Sequence, residues 1–130
     1  MTLTRVIATI ILTWSFAGPA VAGPYEDAIA AYNRGDYAAT LRQLRPLAEQ
    51  GDSAAQYKLG YMYERGQGVT QDLAVAYMWY DISARQHTPN AAAARDDTAL
   101  LMSPAQITKA QALARDWKPN KQLSNVAQPK

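Results

Sequence analysis

Cysteine is absent from this chain of 130 residues, and histidine occurs once, as His87. The missing cysteines exclude disulfides, thiol nucleophiles and thiolate metal sites, so stability must come from packing. They also exclude a lipid anchor on a cysteine behind an export leader. A single histidine is a poor metal site, and no Ser–His–Asp arrangement can be argued around it. An excess of one charge is lacking too. Lys and Arg total 13 against 11 Asp and Glu, without a basic run, so there is no electrostatic case for nucleic acid. Strand signals are nearly missing: β-branched residues are few, and apolar residues recur at spacings of three and four, the helical period.

The apolar run Val6–Phe16 is eleven residues long, too short to span a bilayer, which needs about 20. It follows Arg5 and precedes Ala20-Val21-Ala22, a small-residue cleavage signature. The expectation is a secretory signal peptide over residues 1–22, cleaved after Ala22 and leaving no stable membrane span. An uncleaved N-terminal anchor is the alternative. Localisation is then periplasmic, or secreted.

Six short helices are expected after the leader. The first two cover about 25–34 and 37–50, separated by Gly35 and capped at Asp36, with Pro46 inside the second. The next two cover about 53–65 and 72–86. Ser53 with Gln56 reads as a capping box. "DLAVAYMWYDISAR" is apolar nearly all round, which places it centrally between neighbours. The last two cover about 90–102 and 104–117, with Asn90 as one cap and Ser103-Pro104 with Gln106 as the other. Residues 119–130 hold too little apolar content to fold and are expected to form a disordered tail.

These helix pairs are related to each other. Tyr32 and Gly35 fall on Tyr63 and Gly66; after a five-residue insertion, "QGVTQ", Asp36, Leu41, Leu44 and Ala48 fall on Asp72, Tyr77, Tyr80 and Ala84. A two-helix period of about 36 residues signifies a solenoid in which each pair needs its neighbour to bury an apolar face. "AAQYKLGYMYERGQGVTQDLAVAYMWYDISA", residues 54–84, resembles one Sel-1-like repeat, a relative of the tetratricopeptide repeat. The resemblance rests on Ala55, Leu59, Gly60, Tyr63, Gly66, Gly68, Val69, Asp72, Ala76, Trp79, Tyr80 and Ala84. The flanking pairs match less fully: residues 25–51 lack the long turn, and residues 90–117 carry Arg95-Asp96 where the family has Leu-Gly. The implied fold is all-α, a short right-handed α/α superhelix (solenoid) of about three antiparallel helix pairs over residues 23–118, with the best repeat at 54–89. Physically, Gly60 would let the facing helix approach, Gly66 and Gly68 would take positive φ, Val69 would plug the turn, and Asp72 would cap the next helix.

Candidate chemistry is thin. Gly66-x-Gly68 follows a helix rather than a strand and lacks both a third glycine and a Gly-Lys-Ser/Thr, so it reads as a turn and not a phosphate cradle. Asp96 and Asp97 are consecutive on a helix and point about 100° apart, so they do not converge on one proton or metal. No catalytic residue, metal or cofactor is expected.

Tyr57 and Tyr61, spaced i, i+4, lie opposite Ala55, Leu59 and Met62, with Glu64 beside them. By the resemblance, the first helix of each pair lines a concave surface. Tyr57, Tyr61 and Glu64 would then face a groove that Glu26, Ala30 and Asn33 extend. The other reading packs both tyrosines against the neighbouring pair. The expected function is a non-catalytic protein–protein interaction module of the cell envelope (an adaptor, assembly factor or regulator) that binds a peptide or helix of a partner protein, and no nucleic acid. An immunity or inhibitor protein against a toxin or enzyme in the same compartment is the alternative. Oligomeric state and the identity of the partner stay open.

Overall fold

Capping chemistry divides the chain. In the computed structural model, which describes residues 22–120, six helices follow one another: α1 (Pro24–Asn33), α2 (Tyr37–Glu49), α3 (Ser53–Arg65), α4 (Leu73–Ala84), α5 (Ala91–Ala99) and α6 (Pro104–Asp116). The expected leader, apart from Ala22, and the expected tail beyond Asn120 lie outside the described residues. Asp36, Asp52 and Asp72 each accept the backbone N–H three residues on, at 3.0, 2.8 and 3.1 Å, and so open α2, α3 and α4. Such a cap contributes about 1 kcal/mol. Ser103 and Gln106 form a reciprocal capping box at the start of α6.

Two of the expected caps differ. Ser53 and Gln56 do not form a capping box, because Asp52, one residue earlier, already caps α3. Gln56 is instead fully buried: its Nε2 donates to the Ala48 carbonyl, and its Oε1 accepts from Gln86 Nε2. It therefore ties the ends of α2 and α4 to α3. Asn90 stands before α5 in a left-handed conformation, φ 66°, and makes no side-chain cap bond. Helix α5 is also shorter than expected. Leu101 and Met102 donate to the carbonyls of Thr98 and Ala99, a tighter turn that drives Met102 into the core. Pro46 is accommodated inside α2, where the carbonyl of Arg42 forgoes its helical donor.

The helices form an all-α repeat array: α1 packs on α2 and α3 on α4, and the last two, α5 and α6, both pack on α4. Helix α4 is the centre, in contact with α3, α5 and α6. Its sequence explains this: Ala74, Ala76, Tyr77, Trp79, Tyr80, Ile82 and Ser83 are buried, which takes in nearly every direction around the helix. The main core joins Leu41, Leu44 and Ala48 of α2 with Ala55, Leu59 and Met62 of α3 and with Trp79 and Ile82 of α4. Burying each of the larger side chains contributes about 1.5–3 kcal/mol. A smaller cluster of Ala74, Tyr77, Met102 and Ala110 seats the last pair. Trp79 meets Trp117, just beyond α6, edge to face at 6.1 Å. Between α4 and α5, Asp81 accepts from both Arg85 (2.7 Å) and Arg95 (2.9 Å). After α6 the chain turns back, and the Asn120 N–H donates to the Glu49 carbonyl at the end of α2.

The Gly-x-Gly turn is structural in detail. Gly66 ends α3 with φ 65°, and Gly68 follows with φ 71°. A methyl group on Gly68 would lie 2.8 Å from Tyr37 Cβ and 3.0 Å from Leu41 Cδ1, so the turn of the second pair sits directly on α2 of the first. Val69 is partly buried against the main core, and the Tyr32 hydroxyl donates to Gln67 at 2.9 Å. The "QGVTQ" insertion thus fastens one pair to the next.

Candidate functional site

Helix α3 is nearly enclosed. Ala55, Gln56, Leu59, Gly60 and Met62 are buried, which leaves one outward strip: Tyr57, Lys58, Tyr61, Glu64 and Arg65. All of these but Arg65 are half-buried, so the strip is a lined surface rather than a solvated one.

Each member is held by a neighbour. Tyr57 packs on the ring of Tyr80 from α4, centroids 5.4 Å apart. Tyr61 meets Tyr32 of α1 edge to face at 6.5 Å, and Tyr32 in turn meets Tyr37 at 5.3 Å. Such ring pairs contribute about 0.5–1.5 kcal/mol beyond area burial. Lys58 Nζ lies 3.3 Å from the centroid of the Tyr32 ring and 4.8 Å from that of Tyr61; the Arg65 guanidinium lies 4.5 Å from Tyr61 on the same strip. Glu64 accepts the Tyr80 hydroxyl at 2.6 Å. Tyr61 touches the neighbouring pair and Tyr57 its own, while each keeps part of its ring in solvent.

The electrostatics follow from partial burial. Desolvation lowers the Lys58 pKa, opposed by its contact with the Tyr32 hydroxyl and assisted by the charge of Arg65. Desolvation also raises that of the Tyr61 hydroxyl. Tyr80 is held far above its ordinary 10.0, first by burial, then by the hydrogen bond it donates to Glu64 and by the charge of that carboxylate. A raised tyrosine pKa stabilises the fold fully below the unfolded value and withdraws that stability as pH climbs toward the folded one. Stability in urea should thus fall as pH rises above about 10, and Tyr80→Phe should flatten that slope. An unchanged slope would show that Tyr80 is not protected.

The remaining candidates lie apart from the strip. Glu26 is exposed in the first turn of α1, its carboxylate turned back beside Gly23, so it faces the positive end of that helix. Asn33 is exposed at the last residue of α1, and Ala30 is exposed one turn before it. Glu26 and Asn33 stand about 10 Å apart along the helix axis. Among the described residues no hydrogen bond or ion pair joins either to α3. The structure brings Tyr57, Tyr61 and Glu64 together and adds Lys58, Arg65, Tyr32 and Tyr80, which sequence reasoning did not select. The spacing i, i+3, i+7 of Lys58, Tyr61 and Arg65 was available as a signal for two of these. Tyr32 and Tyr80 stand out in the sequence only as matched positions of the repeat.

Asp96 pairs with Arg95, and His87 is exposed with φ 60° after α4. Among the described residues no three His, Cys, Asp or Glu side chains gather as a metal site, and no helix is long and apolar enough to cross a membrane.

No curated protein and no solved structure matches this chain. Residues 53–87, which run from the first residue of α3 through the turn after α4, match the family model of the Sel1 repeat, a tetratricopeptide-like protein-interaction scaffold.

Proposed function

We propose that this chain is an exported, non-catalytic interaction module that holds a peptide or helix of a partner protein against the outward strip of α3, serving as an adaptor, assembly factor or regulator of the cell envelope. The observation that carries this reading is the state of Tyr57 and Tyr61. Both rings are half-buried, ordered by the rings of Tyr80 and Tyr32, and still reachable. Rigid aromatic area costs little side-chain entropy on binding, which is why tyrosines dominate recognition surfaces. The Sel1 match over α3 and α4 supports a scaffold role, and the leader read in residues 1–22 supports export to the periplasm.

A photo-reactive phenylalanine analogue at position 57 or 61 should cross-link a partner in the native envelope, whereas the same analogue at the exposed Thr108 of α6 should not. Against the partner so identified, Tyr57→Ala with Tyr61→Ala should weaken binding at least about tenfold, with helicity and melting followed alongside. Equal cross-linking from position 108, or unaltered affinity, would place the binding surface elsewhere.

A further inference from the structure

We infer that the α3 strip recognises an acidic segment of its partner, with an Asp or Glu carboxylate seated between Lys58 and Arg65 beside the ring of Tyr61. This rests on the reading of the strip as a docking face and adds the chemistry of what docks there.

Among the described residues the cations of the strip are set apart by the aromatic rings they rest on, not by lacking an ion pair, which Arg34, Arg42, Arg45, Lys109 and Lys118 lack as well. Arg85, Arg95 and Arg115 each pair with an aspartate. Lys58 and Arg65 form no ion pair with any described residue and rest on aromatic rings instead. They flank Tyr61 from positions three before and four after it, within 4.8 and 4.5 Å of the ring centroid. The carboxylate nearest to them in the chain, Glu64, is already occupied by the Tyr80 hydroxyl. Lys58 has given up part of its hydration for the faces of two rings, and a cation–π contact of this kind contributes about 0.5–2 kcal/mol. A carboxylate arriving at the strip would meet a lysine and an arginine that form no ion pair among the described residues, with Glu64 turned to the Tyr80 hydroxyl. It would also meet the half-buried edges of Tyr57 and Tyr61, which can cover the apolar parts of the same segment.

A nucleic acid fits less well. Its regularly spaced phosphates call for a stripe of many cations. Here there are two, with a carboxylate beside them, in a chain whose 13 basic and 11 acidic residues nearly balance. Steering by such a pair is short-ranged and should weaken with salt.

The test uses the full chain and an array of short peptides in which Glu is placed at each position in turn, with a matched array carrying Gln. Retention should favour Glu over Gln by about tenfold at the best positions and decline with added salt. Lys58→Gln and Arg65→Gln should each erase most of that preference, while Lys58→Arg should keep it. No preference for Glu over Gln, or an oligothymidylate retained as well as the best acidic peptide, overturns the inference. If Tyr57→Ala with Tyr61→Ala abolishes retention of both arrays while Lys58→Gln and Arg65→Gln leave it unchanged, the docking face stands and the acidic partner does not. If the preference survives both the tyrosine substitutions and Lys58→Gln with Arg65→Gln, the segment binds away from the strip and both readings fail.

Discussion

Gly68→Ala should destabilise the fold by about 2–5 kcal/mol, while Gly35→Ala should cost only about 1. Both glycines have left-handed backbones, φ 71° and 77° respectively, so an L-residue is strained at either site. The difference lies in the surroundings. Around Gly35 an added methyl group would meet nothing within 4 Å. At Gly68 it would run into Tyr37 Cβ at 2.8 Å and the Tyr37 backbone carbon at 3.3 Å, which belong to the first turn of α2 and cannot rotate away. Relief requires lifting the whole turn, which would withdraw Val69 from the core and part Gln67 from Tyr32. In a domain of this size 1 kcal/mol corresponds to about 4–8 °C in melting temperature, so circular dichroism melts of the two variants should separate clearly. Similar melts for the two would show that the turn does not bear on α2. The outcome also matters for the α3 strip, because the seat of this turn sets how α1 and α3, and with them Tyr32 and Tyr61, face each other.

The second large effect is expected at Gly60. An added methyl group there would lie 2.7 and 2.8 Å from two carbons of the Tyr80 ring. Tyr80 is 1 % exposed, its ring packed at a tilt on Tyr57 and tethered by its hydroxyl to Glu64, so it has nowhere to go. Overpacking of this kind costs about 1–3 kcal/mol. Against it stands the gain of about 1 kcal/mol for Ala over Gly inside a helix. The clash should win, and Gly60→Ala should lower stability by about 1–2 kcal/mol. The opposing terms give a sharper test in a second background. With Tyr80→Leu the ring is gone, so adding Gly60→Ala should be neutral or stabilising. A sign change between the two backgrounds, read from urea melts as a double-mutant cycle, assigns the cost to the ring. If Gly60→Ala stabilises in both, α3 and α4 are not in close contact at this point.

The fold was largely legible in the chain because its signals are local. The helix breaks at Gly35 and Gly66 and the caps at Asp36, Asp72 and Ser103 act within a few residues, and they lie where the pattern placed them. The central place of α4 followed from its apolar circumference. The misreadings were also informative. Ser53 with Gln56 has the spacing of a capping box, but packing buries Gln56, and its amide finds its partners in the Ala48 carbonyl and Gln86. No local rule contains that packing.

For the candidate site the division is similar. Helical spacing alone put Tyr57, Tyr61 and Glu64 on one side of α3, away from Ala55, Leu59 and Met62. It could not show that Tyr80 binds Glu64, that Lys58 lies against the rings of both Tyr32 and Tyr61, or that Glu26 turns back to the start of its own helix. Those are contacts between residues 16 and 26 apart in the chain, or choices of rotamer, and they depend on how the pairs stack. By itself, then, the sequence determined six helices, their caps and a repeated pair, because periodicity and capping are properties of neighbouring residues. Only the tertiary structure decided which side chains of the α3 strip are already engaged and which are left without an ionic partner, because that depends on what the adjoining helices bring to it.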